Sequence, residues 1–279
     1  MKIPKYWARK DGSVSKRDGG ELALMAWGWS EQSRAEAEAV AAQRFGSLVD
    51  RVKQGLDLPK GYAYGTRPMR EEILEELQAP DGDLSGLLTR NSYGSVVLNA
   101  AQTMFIAVDL PEGALQEKKG WFGSKSGGEA AAVEGLRQKL TGASAGSFRI
   151  YRTAAGLRVL ATDHLYAPKS GDADRVMQAV GADPAFIQLC HVQESFRARL
   201  TPKPWRVGRK PPPGQFPRES AAEQSQFAEW LDEYEQASSG KATCRFVEAI
   251  GPGRVDDAIA PLMRLHDERT KATSGLPLA

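Results

Sequence analysis

Phe105-Ile106-Ala107-Val108-Asp109 is an apolar, β-type run that ends in a carboxylate. Phe148-Arg149-Ile150-Tyr151-Arg152-Thr153-Ala154-Ala155-Gly156-Leu157-Arg158-Val159-Leu160-Ala161-Thr162 holds two more such runs around a turn of small residues. The second stretch reads as a hairpin, Phe148 to Thr153 and Leu157 to Thr162, closed by Ala154-Ala155-Gly156. Between the two stretches, Glu129 to Leu140 is alanine-rich and helical. After them, Asp172 to Val180 reads as a short helix, a loop or helical turn carries Cys190 and His191, and Phe196 to Leu200 alternates as a strand. From Met104 to Leu200 the order is strand, helix, strand, strand, helix, strand. That order predicts an α+β protein with a ferredoxin-like (split βαβ) central antiparallel sheet. In this plan the first strand lies between the third and the last, antiparallel to both.

Outward from this core, residues 1–90 read as an N-terminal strand-helix unit and 91–203 as the core. Ser33 and Glu36 have capping-box spacing ahead of Phe45, Leu48, Val49 and Val52, so a strand over Leu22 to Trp29 leads into an amphipathic helix. Thr66-Arg67-Pro68 predicts a second helix start, with Ile73, Leu74 and Leu77 buried and an end before Pro80. Ser95 to Asn99 and Met104 to Leu110 predict a hairpin, and Gly120 to Gly128 a loop. Arg199, Lys203, Arg206, Arg209, Lys210 and Arg218 form a basic stretch without an acid, interrupted by Pro211 to Pro213, so 204–218 reads as a basic, proline-rich linker. In 219–279, a helix with an acidic face carries Phe227, Trp230, Leu231 and Tyr234 at helical spacing; a strand (Cys244 to Ile250) and a helix (Val255 to Arg269) follow.

Side-chain period two places Phe148, Ile150, Val159 and Ala161 on one sheet face, and Arg149, Tyr151 and Arg158 on the other. In the last core strand Arg197 and Arg199 point away from Phe196, Ala198 and Leu200. The expectation is one apolar, helix-covered face and one open basic face with Asp109 at its centre. Antiparallel matching adds Arg152, Glu194 and, close by, His191 to the Asp109 end, and puts Asp163 and His164 at the opposite edge. Arginine forks suit phosphate oxygens, so Arg149, Arg152, Arg158, Arg197 and Arg199 are the expected phosphate-binding residues. Asp109 and Glu194 are the expected catalytic pair and Mg²⁺ ligands, since Mg²⁺ takes oxygen donors shared with substrate phosphates. A salt bridge from Asp109 to one of the arginines is the structural alternative.

Phe105-Ile106-Ala107-Val108-Asp109, a helix, and the hairpin from Tyr151 to Arg158 resemble the palm core of the archaeo-eukaryotic primase superfamily over roughly the middle third of the chain. The family carries two aspartates one residue apart on its first strand; here Ala107 and Pro111 occupy the places where a second would stand. Arg158 stands approximately where the family has a histidine. The resemblance implies a nucleotide- or nucleic-acid-binding fold and, where catalysis persists, nucleotidyl or phosphoryl transfer by a primase-like or polymerase-like enzyme.

Several classes are excluded or disfavoured. With 279 residues, 41% hydrophobic and 26% charged, the chain is of ordinary globular composition, and a net charge of +2 means that any basic site is local. The phosphate-loop and dinucleotide glycine motifs are absent, so NAD has no support, nor do haem or zinc in a chain with three histidines and two cysteines. The two cysteines predict a reducing, cytoplasmic compartment, and no apolar run approaches the roughly 18 residues of a membrane span. Trp27-Gly28-Trp29 and Pro204-Trp205-Arg206 could stack bases. His266-Asp267 is read as a helix C-terminal pair that does not converge on a ligand. The rival functional reading is a non-enzymatic interaction module that recognises an acidic protein or the chain's own acidic helix.

Overall fold

The structure is a computed structural model that describes residues 1–17, 19–58, 68–111, 113–115, 118–119, 125–126 and 128–279. At the N-terminus, strands β1 (Tyr6–Ser15) and β2 (Glu21–Ser30) pair antiparallel, and helix α1 (Arg34–Gln54) lies across them. Ser33 caps α1 by accepting from the Glu36 backbone N–H at 3.2 Å; Glu36 accepts from the Ser30 hydroxyl at 2.6 Å, so the capping pair is only half closed. The helix approaches β2 so closely that a Cβ on Gly28 would collide with the Ala37 carbonyl and the Ala41 backbone nitrogen.

Two antiparallel four-stranded sheets follow. One is ordered β11-β5-β4-β3, from β3 (Glu72–Gln78), β4 (Leu84–Arg90), β5 (Val96–Ala100) and β11 (Phe196–Arg199). The other is ordered β12-β9-β10-β6, from β6 (Phe105–Asp109), β9 (Phe148–Thr153), β10 (Gly156–Ala161) and β12 (Cys244–Ile250). A short ribbon, β7 (Lys118–Lys119) with β8 (Lys125–Ser126), precedes α2 (Glu129–Ala143); α3 (Gly171–Val180) and α4 (Pro184–Gln193) precede β11. A 3-10 helix (Pro204–Val207), α5 (Ala221–Ser238) and α6 (Ala260–Thr270) complete the chain. None of the described helices is long and apolar enough to cross a membrane.

The adjacency of β6, β10 and β9 is the expected one, with Gly156 opposite Asp109 and Arg158 opposite Ala107. Four expectations need correction. The segment after Pro68 is strand β3, not a helix; Thr66 and Arg67 lie outside the described residues. Bulges at Ile73/Glu75 and Leu77/Gln78 break its alternation and disguise its period. Residues 96–100 and 105–109 do not form a hairpin: β5 pairs with β4 and β11, whereas β6 pairs with β10. Strand β11 joins β5 rather than β6, so a boundary at residue 90 would cut one sheet. The last helix starts at Ala260 rather than Val255. Of the loop expected over Gly120 to Gly128, residues 120–124 and 127 lie outside the described residues.

Strand parity is as the alternation predicts. Ile106, Phe148, Ile150, Val159 and Ala161 face α2, α3 and α4 in one core, where each large side chain contributes about 1.5–3 kcal/mol of burial. The opposite face is not open. Phe105, Tyr151 and Leu160 are sealed by Ile259 and Leu262 at α6, by Leu88 and Leu98 of the other sheet, and by Leu200 just after β11. The seam where β6 and β11 lie against each other reaches solvent as a cleft.

A candidate anion-binding cleft

The seam opens into two adjoining cavities. The smaller, about 100 Å³, is lined by Asp109 at the end of β6, Ala154 and Ala155 of the β9–β10 turn, Arg158 of β10, Arg199 of β11, and Lys203 and Arg206 around the 3-10 helix. The larger, about 580 Å³, is lined by Glu71, Tyr93, Val97, Phe186, Leu189 and Arg197 among others. Ala107, Arg158 and Arg199 line both.

Arg158 is only 7% exposed, yet its partners are neutral: its Nη1 donates to the Arg199 carbonyl at 3.0 Å and to His266 Nε2 at 2.9 Å. His266 is fully buried, between Phe105 and Tyr151, and its Nδ1 lies 3.0 Å from Asp267 Oδ1. The network assigns the imidazole proton to Nδ1, leaving the Nε2 lone pair for Arg158. Burial pulls the His266 pKa down to about 4, so the ring is neutral at pH 7. Asp267 also accepts from Tyr151 Oη at 2.7 Å and Arg149 Nη2 at 2.6 Å. Burial alone would raise its carboxyl; hydrogen bonds from His266 and Tyr151 and the charge of Arg149 hold it below the ordinary value.

Arg199 is a second cation of the cleft, partly buried. Its Nε has no hydrogen-bond partner, and burial, reinforced by Arg158, Arg197 and Arg206, pushes its pKa down to about 10. Lys203 is shifted down by burial and by Arg199 and Arg206. Among the described residues, none of Arg158, Arg199, Lys203 and Arg206 has a salt-bridge partner, and Asp109 is the only acidic side chain lining the smaller cavity.

The other expected phosphate ligands are already engaged. Arg149 is tied to Asp267 under α6. Arg197 pairs with buried Glu71 at 2.7 Å and donates to Asn99 and Gln193, each at 2.6 Å; Thr89 donates to the other Glu71 oxygen at 2.6 Å. Arg152 lies 3.6 Å from Glu129 and donates to the Gly156 carbonyl. Glu194 is held by Lys2 at 3.0 Å and Lys169 at 2.6 Å, whose hydrogen bonds lower its pKa to about 2. It precedes β11, whereas Asp109 shares its cavity with Arg199 at the far end of that strand. The length of β11, about 10 Å of extended chain, therefore lies between Glu194 and that cavity. Asp109 and Glu194 do not converge, because β11 pairs with β5 instead of running antiparallel beside β6. His191 instead meets Asp174 at 2.7 Å. Asp163 and His164 pair with each other at 3.2 Å. Among the described residues no group of three or more His, Cys, Asp or Glu is arranged to hold a metal ion.

The basic stretch divides. Arg209 pairs with Glu233, the Lys210 carbonyl accepts from Trp230 Nε1 at 2.9 Å, and Arg218 lies 3.2 Å from the Phe227 ring centroid and 3.4 Å from Glu72. These residues dock the arm on α5. Lys203 and Arg206, read from sequence as part of a basic arm able to follow a phosphate backbone or to dock on the acidic helix, line the cleft instead. Trp27 and Trp29 stack under Arg70 and Arg44, and neither lines the two cavities. His266 and Asp267, read from sequence as an inert helix end, prove to be the buried support for Arg158. Comparison of the chain with protein-family models, with characterised proteins and with solved structures finds no significant match.

Proposed function

We propose that the cleft binds a phosphorylated ligand, a nucleotide or nucleic acid, through Arg158, Arg199, Lys203 and Arg206. The observation that carries this reading is the pair of guanidinium groups, buried Arg158 and partly buried Arg199, that line the smaller cavity without a salt-bridge partner among the described residues. Burying an uncompensated charge costs several kcal/mol, and an incoming polyanion would offset that cost at the point where it binds. The strand order β6-β10-β9 supports a split-βαβ ancestry for the core and is consistent with the primase-like resemblance. Two buried free cysteines, Cys190 and Cys244, support a reducing, cytoplasmic setting. The reading is one of binding: Asp109 alone offers no second carboxylate for a metal-assisted transfer, and no transfer step is assigned.

Thermal unfolding in the presence of inorganic phosphate, pyrophosphate and a nucleotide mixture tests the reading, since a ligand that binds only the folded chain raises its melting point. Millimolar pyrophosphate is expected to stabilise the wild-type protein but not Lys203→Met/Arg206→Met. If none of these anions shifts the transition, the proposal is wrong.

A further inference from the structure

We infer that the two cavities form one bipartite site for a mononucleotide, with the phosphate between Arg158, Arg199, Lys203 and Arg206 and the base in the larger, apolar cavity. This rests on the anion-binding reading and goes further by naming the second half of the ligand. The cavities meet at Arg158 and Arg199, so a ligand whose phosphate reaches these guanidiniums has its remaining volume directed across Ala107 into the larger space. That space, about 580 Å³, lies in the range typical of small-molecule sites. Its walls suit a flat heteroaromatic ring: Val97, Phe186 and Leu189 are apolar, and Tyr93 is 41% exposed, edge-on to the 48% exposed Trp205 at 5.3 Å between ring centroids. Exposed aromatic rings next to cations are the recurring platform for a nucleobase.

Glu71 borders this cavity, but its side chain is sealed from solvent with one oxygen held by Arg197 and the other by Thr89, so it fixes the wall rather than contacting the base. A polymer fits less well. Beyond Arg206 two of the three cations of the basic arm are committed, Arg209 to Glu233 and Arg218 to Glu72 and Phe227, and the exposed Lys210 by itself makes no continuous basic track from the cleft.

Isothermal titration of the full chain with AMP, GMP, CMP and UMP, against ribose 5-phosphate, inorganic phosphate and a short single-stranded oligonucleotide, tests this. At least one nucleoside monophosphate should bind roughly fivefold to a hundredfold more tightly than ribose 5-phosphate, the range expected for stacking a base. Tyr93→Ala should remove most of that preference while leaving ribose 5-phosphate binding unchanged; its exposed position makes misfolding an unsuitable explanation, and melting curves verify this. Arg199→Met should abolish binding of both. Equal affinities for nucleotides and ribose 5-phosphate, insensitivity to Tyr93→Ala, or tighter binding of the oligonucleotide than of every monomer would overturn the bipartite site and leave the anion reading standing. Absence of binding by every phosphate compound would remove both.

Discussion

His266 makes acid stability a direct probe of the site's architecture. The fold lowers its pKa from 6.5 to about 4, chiefly by burial. Between these values the unfolded chain takes up a proton that the folded chain refuses, so stability must fall as pH falls through this window. The loss is negligible above pH 7, about 2 kcal/mol at pH 5, and approaches 3 kcal/mol at pH 4, from about 1.4 kcal/mol per pKa unit. The groups facing the ring are Asp267, Tyr151, Arg158 and Cys244, with Arg149 behind Asp267. Protonation would place a cation against Arg158 and remove its acceptor. Urea unfolding of wild type and His266→Gln at pH 7 and pH 5 separates this imidazole from the surface histidines. Glutamine offers Arg158 a neutral acceptor without titrating. The wild type should lose about 2 kcal/mol more than the variant over that interval. Equal losses would mean that the ring titrates freely, and the neutral-acceptor account of Arg158 would fail.

Three further outcomes follow from the packing. Arg199→Met removes a partly buried cation that has no salt-bridge partner among the described residues, so the ligand-free protein should be as stable as wild type or about 1–3 kcal/mol more stable in urea; a loss of more than about 2 kcal/mol would make Arg199 a structural residue. Arg197→Met strands the Glu71 carboxylate and should cost about 3–5 kcal/mol, largely recovered when Glu71→Gln is added; a cost below about 1 kcal/mol by the same assay would show that the pair is not sealed. Gly28→Ala should destabilise by about 1–3 kcal/mol by forcing α1 off β2, whereas Gly46→Ala, within α1 and facing open space, should stabilise by about 0.5–1 kcal/mol; thermal melts with shifts of the same sign would contradict this packing.

The hairpin β9–β10 was legible in the sequence because each strand carries unbroken alternation and a turn of small residues, and its parity sorts Ile150 and Val159 from Tyr151 and Arg158 as the two cores require. The α5 stripe of Phe227, Trp230 and Tyr234 was equally plain, since a helix with one buried face shows its period. Strand β3 was not: two bulges spoil its period two, and Ile73, Leu74 and Leu77 fit one face of a helix as readily. Nor was the pairing of β11. Local pattern specifies that Phe196 to Arg199 is extended and which side is apolar, but whether its backbone bonds to β5 or β6 is a choice among distant edges that periodicity does not encode. That one choice moved Glu194 away from Asp109 and dissolved the expected carboxylate pair.

The arginine face shows why counting charges on a strand is insufficient. Arg149 and Arg158 share a face of the sheet, yet α6 treats them oppositely. Asp267 neutralises Arg149 with an ion pair at 2.6 Å, while His266, one residue earlier, presents Arg158 with an uncharged lone pair. Adjacent helical positions differ by about 100°, which argues against convergence on a common ligand. Here the two side chains bond to each other and divide the work, one absorbing a positive charge and one leaving it intact. An aspartate in place of His266 would satisfy Arg158 internally and remove much of the reason for an anion to enter. Among the described residues, Arg158, Arg199, Lys203 and Arg206 then face the smaller cavity with Asp109 as its one acidic side chain, and the excess survives folding because the residue supporting Arg158 is neutral.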